Sequence, residues 1–267
     1  MLTLTERVVF LKSPNVALYD EADWSGLMRR EKNCTAERAE QIAQENPLID
    51  YFFICRGPMV LPKHGQFATG DAVFFAGKPW YGSAPQCDSY VKTQFELHPD
   101  VAQYDGADWS KLLLREPDCT LEKALQIAAE NPHVDYFFFC REGMVLPKHG
   151  TFKPGDAVFF AGEPWPGSAP QCDIYMKFRF EKRPNVAQYD EADWSTEKQR
   201  ENHLTPEEAA RIAANDYHID FLFYCREPMY LTKHGRFVPE QAVFFAGKPW
   251  PGSAPQCDIY QKVRKSS

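Results

Sequence analysis

The chain has 267 residues, 44% of them hydrophobic and 25% charged, the balance of an ordinary soluble globular protein. Its net charge of -7 argues against a phosphate-backbone binder, which needs clustered Lys and Arg, so no nucleic-acid partner is expected. No apolar run approaches the ~20 residues that span a bilayer, and residues 1–7 lack a basic segment followed by an apolar one. Membrane insertion is therefore not expected, and the chain reads as cytoplasmic.

Internal repetition organises the rest. Tyr19-Asp20-Glu21-Ala22-Asp23-Trp24-Ser25 returns 85 residues later as Tyr104-Asp105-Gly106-Ala107-Asp108-Trp109-Ser110, and again as Tyr189-Asp190-Glu191-Ala192-Asp193-Trp194-Ser195. Trp80, Trp165 and Trp250 keep the same offset. Between Pro14 and Lys92, 43 of 79 positions carry one residue in all three copies. A unit of this length is domain-sized rather than solenoid-sized. Three repeat modules are predicted, over residues 1–92, 93–177 and 178–267. No Gly/Ser-rich or Pro-rich linker separates them, so a fixed relation is expected, either a rigid row or a closed pseudo-threefold body.

Within one copy the predicted elements run as turn, helix and three strands. Asp23 or Ser25 is suited to capping a local turn, with Trp24 anchored in the core. Thr35, Thr120 and Thr205 are good helix N-caps, Pro206 falls at the first helical position of copy three, and Glu37, Glu122 and Glu207 favour the positive helix start. Ala39, Ile42 and Ala43 recur at i, i+3, i+4 and give one narrow apolar face. Asn46-Pro47 and Asn131-Pro132 end the helix, because the residue before proline avoids helical angles. Copy three has Asp216-Tyr217 there and is expected to end less sharply. Residues 49–56 read as a strand covered on both faces, Lys63-His64-Gly65 as a turn, residues 72–77 as a second strand and residues 86–92 as the start of a third. Residues 77–85, with two glycines, two prolines and Trp80, read as a loop. The predicted class is α+β, three tandem copies of a small module with one helix against an antiparallel sheet.

Cys55, Cys140 and Cys225, with Cys87, Cys172 and Cys257, recur in every copy and read as reduced, packed thiols, with one disulfide per module as the alternative. Cys34 and Cys119 give way to Leu204, the pattern of buried free thiols. A zinc site from Cys55, His64, Cys87 and Asp88 lacks the short cysteine spacing of structural sites. A Cys/His nucleophile would put three identical active sites in one chain. No P-loop, dinucleotide fingerprint, H-E-x-x-H or nucleophile elbow is present, so no catalytic residue, metal or cofactor is expected.

The longest shared stretch, residues 72–88, differs among copies only at Lys78/Glu163/Lys248 and Tyr81/Pro166/Pro251. Loops usually drift fastest, so its constancy marks a candidate site. Trp80, Ser83, Gln86 and Asp88, repeated as Trp165, Ser168, Gln171 and Asp173 and as Trp250, Ser253, Gln256 and Asp258, offer a flat aromatic face beside short polar groups. That mixture suits a polar ring. The competing reading folds each tryptophan over its own module's core. The Tyr19–Ser25 segment adds two carboxylates for hydroxyl groups or a cation, too few oxygens for calcium. His64, His149 and His234, each beside a Lys and with Arg56, Arg141 or Arg226, could grip an anion. The favoured reading is a solvated hairpin tip with Arg56 paired to Asp50 or Asp88, since exposed pairs are common and energetically minor.

These patterns point first to a multivalent recognition protein, a lectin-like binder of a carbohydrate or glycoprotein ligand with one site per repeat, since repeating a weak site raises avidity. An intracellular protein-interaction scaffold is the alternative, and an enzyme using the Cys/His/Asp set stands behind it. Copy three, with Glu240-Gln241 for Gly70-Asp71 and Leu222 for Phe52, is expected to hold the weakest site.

Overall fold

The computed structural model describes residues 7–18, 20, 24–79 and 81–264. Strand accounts for 50% of the chain and helix for 13%, in three α-helices among the described residues, so the α+β protein is dominated by its sheets. Contacts divide it into two compact units. One contains Thr93–Phe178 with segments of both termini, and the other contains Phe10–Lys92 together with Arg179–Lys262. Copy two thus fills one unit, while copies one and three share the other.

Copy one comprises β1 (Val8–Leu18), β2 (Leu27–Glu31), α1 (Ala36–Glu45), β3 (Tyr51–Cys55), β4 (Met59–Leu61), β5 (Gly65–Phe67), β6 (Ala72–Phe75) and β7 (Tyr81–His98). Its sheet runs β2–β6–β3–β7, antiparallel throughout, with β1 added along β7. Copy two follows with β8 (Val101–Gln103), β9 (Leu112–Glu116), α2 (Leu121–Glu130), β10 (Tyr136–Cys140), β11 (Met144–Leu146), β12 (Gly150–Phe152), β13 (Ala157–Phe160), β14 (Pro166–Ser168) and β15 (Cys172–Gln188). Here the order is β9–β13–β10–β15, and the end of β7 pairs with β15 from Ile174↔His98 to Phe178↔Gln94. Copy three repeats the pattern with β16 (Glu197–Glu201), α3 (Pro206–Asn215), β17 (Phe221–Cys225), β18 (Met229–Leu231), β19 (Gly235–Phe237), β20 (Gln241–Phe245) and β21 (Pro251–Arg264), ordered β16–β20–β17–β21.

Each central strand is apolar on both faces because both are covered. Phe52 and Ile54 on β3 pack with Phe74 of β6 beneath Ala39, Ile42 and Ala43 of α1. Tyr51, Phe53 and Cys55 point the other way and pack with Val73, Phe75, Met59, Phe67 and Trp24. The second face is therefore closed by the β4–β5 hairpin and the tryptophan that precedes β2. The same packing of this second face recurs around Tyr136, Phe138 and Cys140, and around Phe221, Phe223 and Cys225. The paired cysteines lie directly opposite one another across neighbouring strands, with Sγ atoms 3.1 Å apart for Cys55 and Cys87 and 3.0 Å apart in the other copies. All eight thiols are free and buried.

The predicted caps form. Thr35 Oγ1 accepts the Arg38 N–H at 3.2 Å, and Thr120 does the same for Lys123. In copy three the Glu208 carboxylate also takes the Thr205 N–H at 2.8 Å, completing a capping box. The helix ends differ from expectation. α3 stops at the same position as its counterparts, because Asp216 Oδ1 takes the His218 N–H just as Asn46 and Asn131 take those of Leu48 and His133. The terminator is this side-chain turn, which Asp makes as well as Asn, and not the proline. A second correction concerns the expected loop, since strand begins at Tyr81 in copy one and at Pro166 and Pro251 in the others. In copy two Pro166 opens β14 opposite Gln103, a strand-initial position where a missing N–H is tolerated. Among the described residues no helix is long and apolar enough to cross a membrane.

Candidate functional site

Two grooves occupy equivalent positions in copies two and three. The first, of about 430 Å³, is lined by Gln103, Tyr104, Asp105, Met144, Val145, Ser168 and Gln171, among others. Its counterpart, of about 510 Å³, is lined by Gln188, Tyr189, Asp190, Met229, Tyr230, Ser253 and Gln256. Every lining position of one is the other's shifted by 85 residues. Met144 and Met229 form part of each floor and belong to the core beneath, where each thioether lies against a cysteine thiol.

The aromatic wall depends on a glycine. A Cβ placed on Gly252 would sit 2.9 Å from Tyr189 Cδ2, and one on Gly167 would sit 3.1 Å from Tyr104 Cδ2. The missing side chain lets each tyrosine ring lie against the strand backbone. The tyrosines remain open to solvent, 58% exposed at Tyr104 and 51% at Tyr189. Beside them Asp105 Oδ1 accepts the Lys148 N–H at 3.0 Å, and Asp190 Oδ1 accepts that of Lys233 at 3.1 Å. Ser168 and Gln171, or Ser253 and Gln256, complete the polar lining.

The conserved tryptophans divide into two roles. Trp24, Trp109 and Trp194 pack on the core, as the sequence suggests, and each stacks on a histidine ring with centroids 3.8 Å apart. Trp165 and Trp250 are 66% exposed, so the reading that folds them over the core is corrected. Among the described residues, the hydrogen bonds that hold them are made by the backbone. The Trp165 N–H donates to Gln103 Oε1 at 3.0 Å while its carbonyl accepts the Tyr104 N–H at 2.8 Å. Trp250 repeats both contacts with Gln188 and Tyr189. Trp80 lies outside the described residues, as do Tyr19 and residues 21–23.

Other candidates take structural posts. Asp88, Asp173 and Asp258 are buried and are corrected as ligand contacts. Asp88 pairs with Lys12 at 2.8 Å and Arg56 at 3.1 Å and accepts the Asn15 N–H, tying β1 to β7. Asp173 pairs with Arg141, and Asp258 with Lys182 and Arg226. His64, His149 and His234 are held by backbone and ring contacts, and neither His149 nor His234 lines a groove. Each Nε2 donates to the carbonyl of Asp20, Asp105 or Asp190 at 3.1–3.2 Å, which fixes the tautomer, and each ring is covered by its tryptophan. The proposed zinc set is not assembled, because His64 and Asp88 are committed elsewhere, and no group of three metal-ligating side chains occurs among the described residues. The hydrogen bond shared by Cys55 and Cys87, together with burial, pushes the Cys55 thiol up, while the same bond holds the Cys87 thiol below its ordinary value, and both sulfurs lie in the core where a substrate has no access. Ser83 and Gln86 hold the corresponding places in copy one, where the Gln86 carbonyl accepts the Arg56 and Gly57 N–H groups.

No protein-family model matches this chain, and no curated protein matches it. Among solved structures, the chain is similar to the two N-terminal apple domains of Toxoplasma gondii microneme protein 4 in a solution ensemble. The match has 10% identity and a TM-score of 0.26, covering 63% of this chain and 91% of that one. A likeness at that TM-score carries no argument about fold or ligand.

The grooves therefore have to be read on their own chemistry. Each offers one aromatic face, a carboxylate acceptor, an amide and a hydroxyl, and copy three adds the exposed Tyr230 where copy two has Val145. Of the residues that line the grooves, the sequence singles out Ser168, Gln171, Ser253 and Gln256. It also singles out the Tyr-Asp pair, without joining it to the tryptophan segment some 60 residues away. Gln103 and Gln188 went unnoticed, although Leu18 in the same place was a visible signal. Glu240, Gln241 and Leu222, expected to weaken copy three, line neither groove.

Proposed function

We propose that the chain is a multivalent recognition protein, a lectin-like carbohydrate binder whose site is the tyrosine-walled groove of the repeat. The observation that carries this reading is one groove, built from the same positions, in two copies of the module. A sugar ring has apolar C–H faces and equatorial hydroxyls. Tyr104 or Tyr189 suits the first, and the carboxylate, amide and hydroxyl beside it suit the second. The volumes fall in the range of small-ligand sites, ~300–1,000 Å³. A net charge of -7 gives no electrostatic pull toward polyanions, which favours a neutral ligand.

A second reading, a protein-interaction scaffold, is favoured by Leu112, Leu113 and Leu114, which are exposed in succession on β9. That feature belongs to copy two alone and does not account for the repeated groove. The two readings separate on a glycan array probed with the intact chain and with the Tyr104→Ala/Tyr189→Ala variant. Carbohydrate recognition predicts that the variant stays folded and loses binding by roughly tenfold or more. No binding by the intact chain across a broad array would remove the carbohydrate reading and leave the scaffold.

A further inference from the structure

We infer that the chain carries two pre-organised grooves rather than three, and that Gln103 and Gln188 are the positioning residues that complete them. The inference rests on the groove proposed above as the binding site. It concerns how many copies of that groove are competent.

In copies two and three the tryptophan is held at both of its backbone groups, N–H and carbonyl. A buried glutamine accepts the Trp165 or Trp250 N–H, and the next residue, the wall tyrosine, donates its own N–H to the carbonyl of the same tryptophan. The Gln-Tyr dipeptide therefore sets the height of the segment and the placement of the aromatic wall together. From there Pro166, Gly167 and Ser168 pair with Gln103, Ala102 and Val101, which carries the tether's register to the groove serine.

Copy one changes this machinery at two positions. Leu18 stands where the others have glutamine, and it is equally buried, so the position is kept apolar and offers no acceptor. Tyr81 stands where the others have Pro166 and Pro251. Proline fixes φ and restricts the residue before it, so its loss removes local pre-organisation at the residue that follows the tryptophan. Both substitutions act in one direction, and both fall on the tether. Ser83 and Gln86 remain, so copy one keeps the polar residues of the groove and lacks the glutamine acceptor and the proline. A site that must be ordered on binding loses affinity by that ordering.

The experiment uses the intact chain labelled with ¹⁵N-tryptophan, with each backbone signal assigned by single Trp→Phe variants. Amide hydrogen exchange is read first, without any ligand. The Trp165 and Trp250 amides should exchange more slowly than the Trp80 amide by about tenfold. Gln103→Leu should speed Trp165 alone, Gln188→Leu should speed Trp250 alone, and Leu18→Gln with Tyr81→Pro should slow Trp80. That gain in copy one is a readout a merely structural glutamine would not produce. Methyl glycosides of glucose, galactose, mannose and N-acetylglucosamine are then titrated in. An active glycoside should move the Trp165 and Trp250 signals and leave Trp80 in place until the copy-one variant is made. A Trp80 amide as protected as the other two, or three equal sets of shifts, would overturn the inference. If the exchange pattern holds while no glycoside moves any signal, the tether stands and the carbohydrate reading falls.

Discussion

Lys92 is a cation set into the protein interior, and its surroundings explain why it is tolerated. Its Nζ donates to the carbonyls of Ala43 and Asn46 at 3.0 and 2.8 Å, where α1 ends and its dipole is negative. The Asp50 carboxylate lies near enough to attract it and also accepts the Gly77 N–H at 2.6 Å, rooting the tryptophan segment. Lys177 and Lys262 repeat the contact with the Asn131 and Asp216 carbonyls, and Asp135 and Asp220 repeat it with Gly162 and Gly247. Burial pushes Asp50 up to about 6 and Lys92 down to about 7. Asp50, raised above its unfolded value, contributes stability that is present below that value and lost as pH rises through 6. Lys92, lowered, contributes stability that is present above its unfolded value and lost as pH falls through 7. Replacing Lys92 by methionine strands the carboxylate, which at pH 7 should destabilise the fold by roughly 3–5 kcal/mol. At pH 5 Asp50 takes a proton and the loss should shrink. Urea unfolding of Lys92→Met at both pH values checks this, and an equal loss at each would mean that Asp50 is not the coupled partner.

Elements differ in how far the sequence discloses them, and the difference follows from where their partners lie. The helices are legible because cap, first-turn acid and apolar face all sit within ten residues, as at Thr35, Glu37 and Ala39. β3 and β6 are legible because residues covered on both faces must be apolar throughout. β2, β9 and β16 are not, since each lies along one edge of its sheet and carries a polar or mixed sequence such as Leu27–Glu31 or Glu197–Glu201. Their strand character comes from β6, β13 and β20, some 45 residues later. The site divides in the same way. Ser168 and Gln171 show in the constant segment, whereas their meeting with Tyr104 and Asp105 is a product of the β8–β14 pairing. Asp173 looked accessible from its neighbours but points into an ion pair with Arg141. β9 carries a consequence of its own. Among the described residues it pairs with β13 alone, and its Leu112, Leu113 and Leu114 are exposed on an open edge. Such an edge invites pairing with another chain, and a lysine there opposes it. Leu113→Lys should leave unfolding within about 0.5 kcal/mol of the parent and lower self-association on concentration. Sedimentation that shows no change in association would remove β9 as a contact surface.

At the scale of the whole chain, repetition gives two grooves built from equivalent positions. The groove of copy two is lined within residues 102–171 and that of copy three within residues 187–256, and these belong to different compact units. Each groove is lined by the equivalent residues of its own copy, and a small soluble ligand should fill the two independently, without cooperativity. A ligand displayed many times on a surface is a different case. Once one groove is engaged, the second encounters its ligand at the effective concentration set by the chain, and overall affinity rises by roughly 10²–10⁴ with no new contact. Tyr104→Ala separates these regimes. It removes one aromatic wall and leaves the copy-three groove intact, so affinity for a soluble glycoside at that remaining groove should be unchanged. Retention on a densely glycosylated surface should fall by the avidity factor, far beyond the twofold loss expected from halving the sites. Surface plasmon resonance on dense and sparse glycan coatings makes the comparison. A merely twofold loss on the dense coating would mean that the grooves never engage one surface together, and the repeat would then serve ligand number and not avidity.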